Sequence, residues 1–280
     1  MAVAPLVALV DAGFEITLVV TRADKRRGRG SAVIASPVKA AALERGLTVT
    51  HTVDDSLLAA ADLGVVVAFG QLIKPHVLAR LPMINLHFSL LPRWRGAAPV
   101  ERAILAGDAT TGVCLMRLEE GLDTGPVFDR VTVQVSPTVR AQDLREQLVA
   151  LGVEQLLRNL EGGLGPAQAQ QGEPTYAAKL RPEEFEIDWQ RPALEINRLI
   201  RLGVAFSTFR GRRLKILAAE VLDRPGQAAT FFEPDVVGCA VGSLRLLQVQ
   251  PEAKAVMTAV AWANGAHPHV GEQMNEGSTV

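Results

Sequence analysis

Cysteine is scarce in this sequence. Only Cys114 and Cys239 occur in 280 residues, and they lie far apart without the close spacing of metal ligands. Two such cysteines support neither a disulfide framework nor a zinc site, so we expect a reducing, cytoplasmic compartment and no metal. Long hydrophobic runs are lacking too. None approaches the ~20 residues that a membrane-spanning helix needs, and the apolar start has no basic residues of a signal peptide. No membrane partner is expected.

Net charge is almost absent as well. The formal charge is -1, with 48% hydrophobic and 21% charged residues, which excludes a disordered or globally basic protein. The basic residues are nevertheless clustered. Residues 22–30 hold five of them against Asp24 alone, and residues 197–224 hold seven against two acidic residues. Two local basic patches on a neutral protein fit a polyanionic partner.

Helix and strand patterns alternate over the first half of the chain. Helical patterns cover residues 4–12, 75–81 and 99–106, and apolar strand patterns cover 15–21, 47–51, 64–69, 83–88 and 112–118. Ser36, Pro37 and Gly46 are start and stop signals of a further helix. This alternation predicts an α/β fold with a doubly wound, mostly parallel Rossmann-like sheet. A long helix at 141–160 closes a first domain of residues 1–162.

A change in composition follows the long helix. The stretch GGLGPAQAQQGEP at 162–174 predicts a linker, which we extend over residues 163–191. Beyond it come one helical pattern at 192–201 and short strand patterns at 207–209, 212–221, 236–241 and 243–249. Short strands with little helix predict a small β-barrel as a second domain, residues 192–280. The tail from residue 264 is expected to be loose.

The stretch MINLHFSLLPRWRGAAP at 83–99 places polar groups at the end of an apolar strand. Asn85 and His87 are two residues apart, so they project from the same face of an extended chain. Ligands of open α/β sheets bind at strand ends of this kind. The pattern predicts an active site here.

Several motifs occur together in one order: TRADKRRGRG at 21–30, SPVK at 36–39, NLHFSLLPRWRGAAP at 85–99, GLDTGP at 121–126, AKL at 178–180, IDW at 187–189 and FRGRRLKI at 209–216. Through them the chain resembles the folate-dependent formyltransferases. The resemblance implies a monomeric enzyme that moves the formyl group of 10-formyltetrahydrofolate to the amino group of initiator methionyl-tRNA. It also implies that the second domain is OB-like and binds tRNA.

The resemblance assigns roles to three residues. Formyl transfer passes through a tetrahedral intermediate with negative charge on the former carbonyl oxygen. Asn85 and His87 would donate hydrogen bonds to that oxyanion. Asp123, in the GLDTG loop, would fix the tautomer of His87, raise its pKa or relay the proton. No metal is implied.

Binding residues follow from the same resemblance. A strand-to-helix turn resembles the folate-contacting turn of the family, and it consists of Ser89, Leu90, Leu91 and Pro92. Residues 65–73 would wall the pterin pocket. In the basic loop 22–30, three guanidiniums would follow the phosphates of an acceptor stem, those of Arg26, Arg27 and Arg29.

The sequence also departs from the family pattern, and other functions stay open. The first strand and its Gly-Thr-Pro turn are missing, so we expect that Met1 is not the natural start and that about ten upstream residues supply an apolar run. An amino-sugar nucleotide formyltransferase is an alternative, although the LDTG loop and the basic loop argue against it. A folate- or tRNA-binding module without catalysis is another. A glycinamide ribonucleotide transformylase lacks the second domain and ranks last.

Overall fold

The computed structural model describes residues 1–26, 33–52 and 61–275, which form two compact units. The first unit comprises Met1–Val100, Thr110–Gln134 and Arg145–Ala178. The second comprises Glu101–Ala109, Val135–Leu144 and Lys179–Val280, of which the last five residues lie outside the described part. The proposed linker thus contributes its first part to one unit and its remainder to the other.

The strands of the first unit are short, except for two longer strands that pair antiparallel, Thr110–Arg117 and Val127–Gln134. They are β1 (Val19–Val20), β2 (Lys25–Arg26), β3 (Val33–Ile34), β4 (Val49–Thr50), β5 (Gly64–Val67), β6 (Met83–His87), β7 (Arg95–Gly96), β8 (Thr110–Arg117), β9 (Val127–Gln134) and β10 (Tyr176–Ala177). β1 and β4 pair in parallel. A second sheet has the order β5-β6-β8-β9, in which only β5 and β6 are parallel.

Helices cover the strands of the first unit as the alternation predicts. They are Val3–Asp11, Pro37–Leu43 and Pro75–Leu78, followed by Pro99–Ala106 and Ala141–Glu161, which the boundary between the units divides. The helix Pro37–Leu43 begins where predicted, because the Ser36 hydroxyl accepts a hydrogen bond from the backbone N–H of Lys39 at 3.1 Å. Gly46, past its end, has the left-handed φ of +68° that glycine adopts without strain.

The α/β class is confirmed, with a sheet that is mixed. β9 was not predicted, and it follows β8 after a loop of only nine residues. A connection this short can join antiparallel neighbours but not parallel ones, which need a crossover of a dozen or more residues. Of the strand predicted at residues 15–21, only the two residues of β1 form a strand, and they pair with the equally short β4.

A cavity lies between the β1-β4 pair and the four-stranded sheet of the first unit. Among the described residues, β1 pairs only with β4, and β5 pairs only with β6, so each presents one open edge. The cavity has a volume of about 510 Å³. Its lining is mostly apolar and includes Leu6, Leu9, Leu18, Val65, Val67 and Ile73. Two open edges beside apolar walls are the surroundings of a central strand.

The second unit is built on one antiparallel sheet. Its strands are β11 (Phe206–Phe209), β12 (Arg212–Leu222), β13 (Phe231–Glu233), β14 (Val236–Gly238), β15 (Ser243–Pro251) and β16 (Met257–Thr258). They follow the order β11-β12-β15-β14-β13, with β16 added on β15. The sheet curls into a half-barrel, and register shifts in β12 after Ile216 bend that long strand. The small β-barrel expected from the sequence is confirmed in this half-barrel form.

Aromatic side chains fill the core of the second unit. Phe209 meets Phe231 and Trp262 edge-to-face, with ring centroids 5.7 and 5.2 Å apart. The helices Ala193–Ile200 and Ala259–Ala266 and a 3₁₀ turn at Pro182–Phe185 complete the unit. Ile196 and Ile200 bring the first of these helices into the same core.

The expectation of a loose tail from residue 264 is wrong for residues 264–275, the part that the structure describes. Residues 259–266 form a helix whose Trp262 is buried, and Met274 is only 2% exposed. The side-chain oxygen of Asn275 accepts hydrogen bonds from the Ser207 hydroxyl at 2.7 Å and from the Thr208 N–H at 3.1 Å. The described part of the tail, residues 264–275, is therefore packed against the core, and residues 276–280 lie outside the described residues. In the portion of the chain that the structure describes, no helix is long and apolar enough to cross a membrane.

An apolar strand seated between β1 and β5 is expected to stabilise the first unit. We predict that fusing about ten residues, an apolar β-branched run and a Gly-Thr-Pro turn, ahead of Met1 raises the Tm by about 5–10 °C. This corresponds to roughly 2–3 kcal/mol from a few buried side chains. Calorimetry checks it against a Gly-Ser extension of equal length. Equal Tm values for the two fusions would mean that the cavity does not take a strand.

Candidate active site

Asn85 and His87 lie on the most deeply buried strand of the first unit. β6 pairs with β5 on one side and β8 on the other, and all five of its residues are buried. Alternation with Ile84 and Leu86 places both polar residues on one face, as predicted. Asn85 is 8% exposed and His87 5%. The Asn85 side-chain amide makes no hydrogen bond to any residue that the structure describes, so its donors are open to a ligand.

A single hydrogen bond fixes the tautomer of His87. Its Nε2 lies 2.9 Å from the backbone carbonyl oxygen of Trp94. A carbonyl oxygen only accepts, so Nε2 carries the proton and Nδ1 of the neutral ring carries the lone pair. Nδ1 faces the Asp123 carboxylate, with 3.5 Å between Nδ1 and Oδ2. The backbone of Trp94, rather than Asp123, therefore sets which nitrogen is protonated.

Burial controls the protonation of His87. Desolvation lowers the pKa of its imidazole below the usual value of 6.5 and outweighs two opposing effects, the charge of Asp123 and the hydrogen bond to Trp94, which both raise it. The lowered pKa favours the neutral ring at pH 7. A neutral imidazole beside a carboxylate is a proton acceptor at rest and becomes a stabilised cation once it has taken a proton.

Asp123 is held by a tight loop after β8. Its backbone has a φ of +50°, in the left-handed region that Asp tolerates better than most residues. Its Oδ2 accepts a hydrogen bond of 2.7 Å from the N–H of Gly96. The loop returns so closely that a Cβ on Gly125 would lie 2.0 Å from the carbonyl oxygen of Arg117, so only glycine fits there.

Two site residues were missed because they lie in the predicted linker. The side-chain amide of Gln170 donates to the carbonyl oxygens of Asp123, at 2.7 Å, and Gly125, at 2.9 Å. The Thr175 hydroxyl accepts from the N–H of Trp94 at 2.9 Å. β10, which follows directly, pairs in parallel with β7. The Gln-rich composition of this stretch gave no signal for such interactions.

A buried hydrogen bond stabilises the predicted folate-contacting turn. Ser89 is completely buried, and its hydroxyl donates to the carbonyl oxygen of Arg93 at 2.6 Å. Leu91 is 4% exposed and packs with Cys114, while the Leu91-Pro92 peptide is cis. Leu90 is half-buried. These residues shape the turn that carries Trp94, and any ligand contact here would come from its outer surface.

Neighbouring groups limit the chemistry of the site. Cys114 lies opposite His87 on β8, and burial raises the pKa of its thiol, so it is no thiolate nucleophile. Among the described residues, no three His, Cys, Asp or Glu side chains are placed to hold a metal ion. Residues 65–67 of the expected pterin wall line the cavity beside β1, whose lining includes none of the three predicted catalytic residues.

The predicted tRNA-binding loop falls largely outside the described residues. Arg27 and Arg29 lie there, and only the backbone of Arg26, in β2, is described. In the second basic patch, residues 197–224, some of the cations are paired with carboxylates. Arg210 pairs with Glu272 at 2.5 Å, and Arg224 pairs with Glu233.

An exposed basic face remains on β11 and β12. Arg213 and Lys215 are exposed on one side of β12, opposite Thr208 and Phe206 of β11. The guanidinium of Arg213 stacks on the Phe206 ring, 3.5 Å from its centroid. A guanidinium, an ammonium and a half-buried ring on one sheet face form a surface that suits an RNA backbone and its bases.

Comparison with known proteins identifies the family. The family "Formyl transferase" matches residues 6–160, and "Formyl transferase, C-terminal domain" matches residues 179–267. A methionyl-tRNA formyltransferase of Magnetococcus marinus is 40% identical over 296 aligned positions, covering 97% of this chain and 94% of that protein. One of Paenarthrobacter aurescens is 41% identical over 288 positions, covering 95% and 94%.

A solved structure shows the same fold at low identity. The N-formyltransferase from Helicobacter canadensis, in complex with folinic acid and dTDP-3-aminofucose, has a TM-score of 0.67 and 17% identity, covering 89% of this chain and 95% of that one. The chain belongs to the formyl transferase family, with both its N-terminal and C-terminal domains. The resemblance inferred from the motifs is thereby confirmed, and with it the enzyme class.

Proposed function

We propose that the protein transfers the formyl group of 10-formyltetrahydrofolate to the amino group of methionyl-tRNA, and so makes the formylated initiator. The observation that carries this proposal is the placement of Asn85 and His87 on one face of a buried strand, with Nδ1 of His87 facing the carboxylate of Asp123 from the loop after β8. The relatives named for this reaction support the choice of substrate, because the chain covers 94% of each.

Each of the three residues has a distinct role in the proposed reaction. The lone pair of the substrate amine attacks the formyl carbon, and the carbonyl electrons move to oxygen. Asn85 donates its unpartnered N–H to that oxyanion. The amine proton passes to Nδ1 of His87, whose new positive charge lies beside the oxyanion and is stabilised by Asp123.

Collapse of the intermediate completes the transfer. The protonated His87 gives its proton to the departing N10 of the folate, the bond between carbon and N10 breaks, and tetrahydrofolate leaves. The neutral imidazole is restored. These reaction steps involve no covalent bond to the enzyme and no metal. This fits a site in which the buried thiol of Cys114 stays protonated.

The folate is proposed to lie against the turn formed by Ser89, Leu90, Leu91 and Pro92. Its interior hydrogen bond makes the turn rigid, and its outer surface adjoins the strand end with Asn85 and His87. The N-formyltransferase from Helicobacter canadensis, which has the same fold and was solved in complex with folinic acid, supports this placement. A rigid turn is a suitable wall for a flat heterocycle.

The tRNA is proposed to contact two basic regions. One is the loop with Arg26, Arg27 and Arg29. The other is the face with Arg213 and Lys215 in the proposed tRNA-binding domain, residues 192–280, where Arg213 already stacks on Phe206. A monomer acting in the cytoplasm, where charged tRNA is available, is the corresponding expectation.

A direct assay decides among the candidate functions. Purified protein is incubated with 10-formyltetrahydrofolate and either methionyl-tRNA or a UDP-amino-sugar, and formylated product is measured. We expect product only with the tRNA. Product only with the sugar would establish the amino-sugar alternative, and ligand binding without product in either reaction would establish a binding module.

Removing Asn85, the proposed oxyanion donor, or His87, the proposed proton acceptor, is expected to abolish most activity. Asn85→Ala and His87→Ala should each lower kcat by about 10²–10³, the usual effect of losing an oxyanion donor or an acid–base group, with tRNA affinity nearly unchanged. Steady-state kinetics and a tRNA binding titration measure this. His51→Ala, at an exposed histidine, is the matched control and should behave as wild type. Wild-type kcat in both site variants would contradict the assignment.

Neutralising the basic loop is expected to weaken tRNA binding in proportion to the number of phosphates that its guanidiniums meet. The triple variant Arg26→Ala, Arg27→Ala, Arg29→Ala should raise the Kd for tRNA and reduce the slope of log Kd against log salt by about 0.7–0.9 per phosphate, with unchanged folate affinity. Arg224→Ala, which removes a cation already paired with Glu233, is the control. An unaltered Kd and salt slope would mean that the loop is only a solvated surface.

A further inference from the structure

Gln170 uses its whole side-chain amide to hold the active-site loop. Its Nε2 donates to the carbonyl oxygens of Asp123, at 2.7 Å, and of Gly125, at 2.9 Å. Its Oε1 accepts from Arg95, at 2.6 Å from Nη2 and 3.1 Å from Nε. Both amide hydrogens and the amide oxygen are thus used, and the direction of the amide is fixed by the guanidinium.

These hydrogen bonds hold the backbone of the Asp123 loop, while a different group holds the carboxylate. The carboxylate is fixed by the N–H of Gly96, and the backbone is fixed by Gln170. Asp123 needs such support because its backbone adopts the left-handed φ of +50°, which persists only where the surroundings favour it. With both ends fixed, the carboxylate stays 3.5 Å from Nδ1 of His87.

The same segment also holds the other partner of His87. Thr175 accepts from the N–H of Trp94, and the carbonyl oxygen of Trp94 accepts from His87 Nε2. The backbone carbonyl of Thr175 accepts from the N–H of Arg95 at 2.8 Å. Residues 170–175 therefore contact the supports of both ring nitrogens of His87.

We propose that Gln170 is a positioning residue for formyl transfer: it holds the Asp123 loop so that the carboxylate faces Nδ1 of His87. This inference rests on the proposed function, in which His87 takes the proton of the substrate amine and Asp123 stabilises the resulting cation. In this role Gln170 acts through Asp123 and is not assigned a contact with the substrate. It acts by keeping a charge at a fixed distance, and displacement of a catalytic group by about 1 Å can lower a rate 10²-fold.

The test compares Gln170→Met with Gln171→Met. Methionine matches glutamine in length but neither donates nor accepts in the same way, and Gln171 is the exposed neighbour. We expect Gln170→Met to lower kcat about 10–100-fold with little change in the Kd for tRNA. The acid limb of the pH profile should also move to lower pH, because a displaced Asp123 raises the pKa of His87 less. Gln171→Met should match wild type in both.

A double variant separates positioning from general destabilisation. If Gln170 acts through Asp123, then Gln170→Met combined with Asp123→Asn should be no slower than Asp123→Asn alone. Gln170→Glu, which keeps Arg95 as a partner but cannot donate, takes the place of the Met variant if that variant does not fold.

Two results would overturn the role of Gln170, and others would contradict the claims on which it rests. Wild-type kcat and pH profile in Gln170→Met, with a defective Asp123→Asn, would remove the role of Gln170 and leave the proposed function intact. Fully multiplicative losses of kcat in the double variant would also overturn the role, because they mean that Gln170 acts independently of Asp123. Full activity of Asp123→Asn would instead contradict the proposed role of Asp123 and with it that of Gln170, whereas no formyl transfer by the wild-type protein would contradict the proposed function.

Discussion

The hydrogen bond from His87 Nε2 to the carbonyl oxygen of Trp94 is the interaction on which the site depends. It fixes the proton on Nε2 and so turns the lone pair of Nδ1 toward Asp123. Burial then favours the neutral ring, because desolvation outweighs the raising effects of Asp123 and of Trp94 itself on the pKa. A backbone carbonyl cannot change its protonation, which makes it a more constant partner for this histidine than a carboxylate would be.

Several features of the fold hold the Trp94 carbonyl and the Asp123 carboxylate in place. The turn after β6 is fixed by the buried Ser89 hydroxyl, and Trp94 itself has a left-handed φ of +63°. Residues of such conformation are kept by their surroundings, here by the hydrogen bond from Trp94 to Thr175. The loop with Asp123 comes close enough to β8 that Gly125 has no room for a side chain. Rigid supports of this kind let a buried, weakly basic imidazole meet its substrate without reorganisation.

The parts of the fold that have local sequence signals could be predicted from the sequence. Ser36 and Pro37 predicted the start of a helix correctly, and alternation along 83–88 placed Asn85 and His87 on one face. The described part of the tail was judged wrongly because its contribution to the core comes from isolated residues such as Met274, which form no periodic pattern.

Other features depended on interactions between distant parts of the chain. Gln170 and Thr175 lie about 80 positions after the turn that they support, in a polar stretch whose composition is that of a linker. No propensity or periodicity predicts which backbone carbonyl a glutamine will reach. The direction of the pKa shift of His87 could not be predicted from the sequence either, because it depends on how completely the folded chain excludes water from the ring.

The pH dependence of a single turnover tests the proposed role of His87 most directly. The rate of formyl transfer from 10-formyltetrahydrofolate to methionyl-tRNA is measured with enzyme in excess between pH 5 and 8. Because burial lowers the pKa of His87 and the neutral ring accepts the proton, the rate should rise with pH through a midpoint below 6.5 and then stay level. A rate that falls as pH rises through this range would show that the protonated ring is the active form, and would contradict this role.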